Sequence, residues 1–187
     1  GQEESAVLIP DDHVVGCKKF LRYSNKKGLK TMPDYALLRL EHPMEGRTYF
    51  KLQEKAPLPV EGTPIAMLGH PNGVFMKFTP GAQILSIASP TKITSNLDAV
   101  GGNSGSPVFN ALTTELLGIL VSGQPDYRKD AEGNLRETAF PEIPSMTAKG
   151  NWSTGNGITF LNDAIRKDLL DAMKEPSETP SESVIFR

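Results

Sequence analysis

Gly101-Gly102-Asn103-Ser104-Gly105-Ser106-Pro107 sets one serine among three glycines, with the apolar pair Val108-Phe109 behind it. Glycine lets a backbone turn sharply and aim several N–H groups at one point. A serine hydroxyl beside such donors suits acyl transfer: the hydroxyl attacks a carbonyl and the donors stabilise the oxyanion of the tetrahedral intermediate. The same residues also suit a tight Gly/Ser turn between two strands. They do not spell the Gly-x-Ser-x-Gly elbow, because Ser106 holds its last position, and this speaks against an α/β-hydrolase. A second feature is Asp34, which opens the apolar run Tyr35 to Leu40. A carboxylate so placed could orient a histidine and stabilise its cation. It could equally be a turn aspartate following Pro33.

The elements around these residues read as short strands. The chain has 17 glycines and 15 prolines in 187 residues, above the average share, which favours turns over a helical bundle. Apolar segments bounded by turn residues fall at Ala6 to Ile9, Val14 to Tyr23, Tyr35 to Leu40, Pro64 to Leu68 and Val74 to Phe78. Others follow at Gln83 to Ala88, Lys92 to Leu97, Val108-Phe109, Leu116 to Val121 and Gly157 to Phe160. Strands at such spacing predict an antiparallel barrel or sandwich. One helix is predicted over Asn162 to Lys174. Asn162 caps it, Leu161, Ile165, Leu169 and Met173 form its apolar face, and Asp163, Arg166, Lys167 and Asp168 lie on the other side. The stretch Gln124 to Thr154 reads as a long loop or insertion. Residues 175–187, rich in Pro, Ser, Thr and Glu, read as a disordered tail.

Composition excludes several functions. A net charge of −2 lacks the basic footprint of nucleic-acid binding. No apolar run approaches the ~18 residues of a membrane span. The single cysteine, Cys17, makes neither an intrachain disulfide nor, alone, a zinc site. Its expected place is a buried structural one, although the neighbouring Lys18 and Lys19 could activate an exposed thiol. Asn151-Trp152-Ser153 fits a glycosylation acceptor.

Taken together, Asp34-Tyr35-Ala36, Gly69-His70-Pro71 and Gly101 through Asn110 resemble the motifs of the chymotrypsin-like serine peptidases. Within that group they are most similar to the disulfide-poor bacterial branch that includes the glutamyl endopeptidases. Asn156-Gly157-Ile158-Thr159-Phe160-Leu161-Asn162 resembles that fold's last strand leading into its terminal helix. The resemblance implies an all-β fold of two six-stranded antiparallel barrels and a C-terminal α-helix. Residues 1–60 would be the remnant of an incomplete first barrel, residues 61–160 the second barrel with insertion 124–154, and residues 161–174 the helix. It further implies a serine endopeptidase acting on peptide or protein substrates through an acyl-enzyme, in a secreted or periplasmic setting. Ser104 would be the nucleophile and Asp34 the orienting acid. The N–H groups of Gly102 and Ser104 would form the oxyanion hole, and the resemblance implies no metal or cofactor.

The family's histidine precedes its aspartate. Of the 3 histidines, His42 and His70 follow Asp34, which leaves His13. The residues before His13 are Ile9-Pro10-Asp11-Asp12 rather than a small residue ending a strand. Too little chain lies before it for the earlier strands, and too little between it and Asp34. The expectation is therefore that the base lies outside this chain, which alone would be nearly inactive. The alternative is a non-catalytic peptidase-fold module that binds peptides or proteins. For specificity, Asp98 stands at the offset where a carboxylate in trypsin-like enzymes attracts Arg or Lys. Leu120 and Ser122 would contribute to the same pocket. Glutamyl endopeptidases carry a histidine where Leu120 stands, so the resemblance does not extend to glutamate specificity.

Overall fold

The computed structural model describes residues 10–24, 33–123, 127–137 and 156–176. The strand predicted at Ala6 to Ile9, the glycosylation pattern at Asn151, and most of the expected tail lie outside them.

Six strands close into an antiparallel barrel in the order β10-β5-β4-β3-β6-β7. These are β3 (Pro64–Gly69), β4 (Lys77–Ser89), β5 (Lys92–Ser95), β6 (Pro107–Asn110), β7 (Leu116–Ser122) and β10 (Asn156–Phe160). Closure removes every sheet edge. Alternate side chains point inward, and Ile65, Met67, Ile84, Ile93, Val108, Leu117, Leu120, Ile158 and Phe160 meet in one core. The strands predicted at Val74 to Phe78 and Gln83 to Ala88 correspond to one long strand, β4, which starts at Lys77. Residues 74–76 belong to the preceding loop instead, where Val74, Phe75 and Met76 are all exposed.

Before the barrel, β1 (Cys17–Ser24) and β2 (Tyr35–Leu40) form a two-stranded antiparallel ribbon. Cys17 is exposed, contrary to the buried place expected of it; it sits at the ribbon's end, paired with Leu40. The part of the insertion that is described also departs from a plain loop. Tyr127–Lys129 (β8) and Leu135–Glu137 (β9) pair as a hairpin, closed where Asp130 and Asn134 hydrogen-bond each other.

The helix α1 (Asp163–Lys174) joins ribbon to barrel. Leu161, Ile165 and Leu169 bury their side chains against Tyr35 and Leu37 of β2, Leu52 of the linker and Leu116 of β7. Each fully buried Leu or Ile contributes about 1.5–3 kcal/mol. Arg22 on β1 donates to Asp168 (3.0 Å) and to Glu175 (2.6 Å), while Arg39 on β2 donates to the carbonyl of Glu175 (2.8 Å). These contacts hold the ribbon on the helix's C-terminal half.

Asn162 caps the helix: its side-chain oxygen accepts from the N–H of Ile165 at 3.0 Å. Asn162→Ala should cost about 1 kcal/mol, read as a lower denaturant midpoint at unchanged slope. At the same end Asp163 accepts from the N–H of Ala56 (2.7 Å) and from Lys55 (3.1 Å), which holds its carboxyl below the ordinary range. Stability from this contact is present above the ordinary carboxylate pKa and is lost as pH falls through the depressed one.

Arg166 corrects the sequence reading, which placed it on the polar face. It is 1 % exposed. It borders the apolar stripe and turns beneath the helix, where it donates to the carbonyls of Leu161 (2.5 Å), Gln53 (3.3 Å) and Leu116. Burial pushes its guanidinium below its ordinary pKa, with Asp163 and Glu115 opposing the shift.

Candidate active site

The serine loop hangs between β5 and β6. Its shape follows from which backbone groups are bonded. The N–H of Asn103 donates to Val100 O (3.4 Å), closing a turn over residues 100–103. Gly102, third in that turn, has φ +90°. A type II turn requires positive φ there, which only glycine adopts at no steric cost. Two further bonds seat the loop on β7: Gly105 N–H to Leu120 O at 2.7 Å, and Leu120 N–H to Ser106 O at 3.0 Å. The N–H of Ser106 donates back to Asn103 O at 2.9 Å.

This accounting leaves two donors over. Among the described residues the N–H groups of Gly102 and Ser104 have no hydrogen-bond acceptor, whereas those of Asn103, Gly105 and Ser106 all do. Both lie in an exposed turn, so each is open to an incoming acceptor. The Ser104 hydroxyl likewise carries no intramolecular hydrogen bond among the described residues. Ser104 and Gly102 line an open cleft of about 800 Å³. Its other walls include Tyr49, Phe50, His70, Met76 and Pro107. Tyr49, Phe50 and Met76 were not singled out by sequence, because nothing local ties the linker or the β3–β4 loop to the serine.

Asp34 does not line this cleft; its tie to the barrel runs through its backbone. Its N–H donates to the hydroxyl of Thr159 at 3.0 Å. Thr159 is 3 % exposed and pairs with Ile119 on β7. The serine loop hangs from Leu120, the next residue of that strand. Nucleophile and acid candidates are thus tied to consecutive positions of one ladder, whose strands run about 4.8 Å apart. Asp34 itself is exposed, and no hydrogen bond joins its carboxylate to Ser104.

The histidines lie elsewhere or face elsewhere. His13 ends an exposed 3₁₀ turn over Asp11–His13. The His42 ring bonds the carbonyl of Pro43 (3.1 Å). His70 shares the cleft with Ser104, but its Nδ1 bonds the carbonyl of Val74 (3.2 Å).

Of the expected pocket residues, Asp98 and Ser122 are exposed and Leu120 is buried in the barrel core, and none of the three lines the cleft beside Ser104. Asn156 donates its amide to the carbonyl of Leu97, stitching the segment before Asp98 to β10. A Cβ on Gly123 would lie 3.1 Å from Asn156 Oδ1 and 3.5 Å from the Ala99 carbonyl. The gap between those two segments is therefore narrow.

Residues 1–119 match the family described as the trypsin-like peptidase domain. No curated protein matches the chain. Among solved structures, the chain is similar to the inactive form of Rv3671c from M. tuberculosis, a serine-to-alanine mutant. That match has 16% identity and a TM-score of 0.45, and covers 77% of this chain and 61% of the other. The active form of the Rv3671c protease matches with 26% identity and a TM-score of 0.39, over 57% of this chain and 49% of that one. The chain thus spans about half to three fifths of the length of these structures.

Proposed function

Because the chain belongs to the trypsin-like peptidase domain family, we propose that it acts as a serine endopeptidase with Ser104 as nucleophile. The observation that carries this reading is the pair of unpaired donors at Gly102 and Ser104, on either side of a bonded Asn103. In the reaction the Ser104 oxygen adds to the scissile carbonyl carbon while its proton passes to a base. The carbonyl oxygen becomes an oxyanion held by the N–H groups of Gly102 and Ser104. Collapse of the intermediate breaks the C–N bond, and the amine departs with the proton. Water then hydrolyses the acyl-enzyme ester by the same steps. Asp34 orients the histidine and stabilises its cation.

Each described histidine is exposed or engaged with a carbonyl outside the serine loop. We assign the base to a histidine that this chain does not itself supply, and expect the chain alone to turn over slowly. Loss of the base in a comparable site costs about six orders of magnitude.

Asp98, Leu120 and Ser122 are assigned to the primary substrate pocket, with Asp98 favouring Arg or Lys. The close approach of Gly123 to Asn156 and Ala99 favours a second outcome, a shallow slot for small side chains. Residues 1–60 and 61–160 act as the two walls of the cleft, and a secreted or periplasmic enzyme is the setting proposed.

Slow labelling by a fluorophosphonate tests the assignment. The Ser104 oxygen bonds to phosphorus and fluoride leaves. We expect one label per chain, on Ser104, absent in Ser104→Ala. Supplying the chain with a histidine-bearing upstream segment should accelerate labelling and give peptide cleavage. No label with or without that segment would favour a non-catalytic peptide-binding module.

A further inference from the structure

The turn after β3 is packed on the serine loop by its backbone. Gly69 lies flat against the side chains of Asn103 and Ser106. His70, Pro71, Asn72 and Gly73 then form a tight turn, closed by Val74 N–H to Pro71 O at 3.0 Å. Within it Asn72 has φ 49° and ψ 30°, the left-handed conformation. Few non-glycine residues take it, and asparagine is the one that tolerates it best. That conformation aims the Asn72 N–H at the carbonyl of Gly101, 2.8 Å away.

The bond matters because of what lies across the peptide. In a trans peptide the C=O of Gly101 and the N–H of Gly102 point in opposite directions. Holding the carbonyl on Asn72 fixes the Gly102 N–H on the other side, where it remains unpaired and lines the cleft. Without the bond, the 101–102 peptide could rotate between the type II and type I forms of the turn. Rotation would swing the donor away.

We propose that Asn72 is a positioning residue: its left-handed backbone pins the Gly101–Gly102 peptide so that the Gly102 N–H stays aimed at a developing oxyanion. This rests on the assignment of Ser104 as nucleophile. A β-branched residue at position 72 disfavours the left-handed form, whereas glycine keeps it.

The test uses the full chain and two independent readouts. In ¹H–¹⁵N spectra of the wild type, the Asn72 amide should exchange with solvent at least tenfold more slowly than its exposed position would suggest. Asn72→Val should move the Gly102 amide resonance, and Asn72→Gly should restore it. A peptide boronic acid, which forms a tetrahedral adduct on Ser104, should bind Asn72→Val about tenfold more weakly. Asn72→Gly should recover this to within about twofold, with binding of an unreactive peptide unchanged throughout. Fast exchange of the wild-type Asn72 amide, or an unmoved Gly102 resonance in a folded Asn72→Val protein, overturns the pin. Should Asn72→Val fail to fold, the wild-type exchange rate decides. Spectra as expected in a protein that binds no boronate support the pin and overturn the peptidase reading instead.

Discussion

Gly102→Ala should lower the rate of Ser104 acylation by about 10²–10³-fold, the usual loss when one oxyanion donor is removed. Two effects act together. The position has φ +90°, where a side chain adds strain whatever the space around it. The new Cβ would also stand 2.7 Å from Asn72 N and 3.1 Å from His70 O, and both are backbone atoms that cannot swing aside. Relief comes from rotating or displacing the 101–102 peptide, which moves its N–H off the cleft. The turn is exposed at Gly101 and Gly102, so global stability should change little. Gly105→Ala is the comparison, because it has nearly the same φ (+87°) but nothing within 4 Å of its Cβ. It carries strain without the collision and should lose less. Acylation by an activated ester under single-turnover conditions, with thermal melts alongside, gives both quantities. A Gly102→Ala rate within threefold of wild type would falsify the donor assignment.

Arg166→Ala should destabilise the fold by about 3–5 kcal/mol, because it empties a buried site and strands one buried and two part-buried acceptors, a buried one costing roughly 1–3 kcal/mol when left unpaired. The carbonyls of Leu161, Gln53 and Leu116 come from the start of the helix, the linker and β7. No single ammonium presents donors in those three directions, so Arg166→Lys should recover only part of the loss. Urea unfolding measures the difference. A proportionate drop in midpoint at constant slope is expected. Arg166→Ala with a midpoint unchanged from wild type would mean that water replaces the guanidinium without cost.

The strands were legible where alternation and turn residues set them. β2 falls on the predicted residues, Tyr35–Leu40, and the helix was bounded correctly by its Asn162 cap. Legibility failed where a residue's partners lie far along the chain. Arg166 looked like a solvent-facing charge because its acceptors, Gln53 and Leu116, are remote in sequence. The hydroxyl of Thr159 gave no sign that it would hold Asp34, 125 residues away. The loop before β4 was read as a strand from its apolar content, although Val74, Phe75 and Met76 face outward. Around Ser104 the glycine pattern foretold a sharp turn, while only the family resemblance singled out the N–H groups of Gly102 and Ser104. Asn72 was missed even though Pro71-Asn72-Gly73 is a strong turn signal, because a turn says nothing about what its N–H faces.

The Thr159 hydroxyl carries a lesson about tolerance to change. One side chain of β10 gauges where the Asp34 backbone stands, and its own place is set by the closed barrel. Divergence in β1 can therefore accumulate without moving the Asp34 backbone away from Thr159.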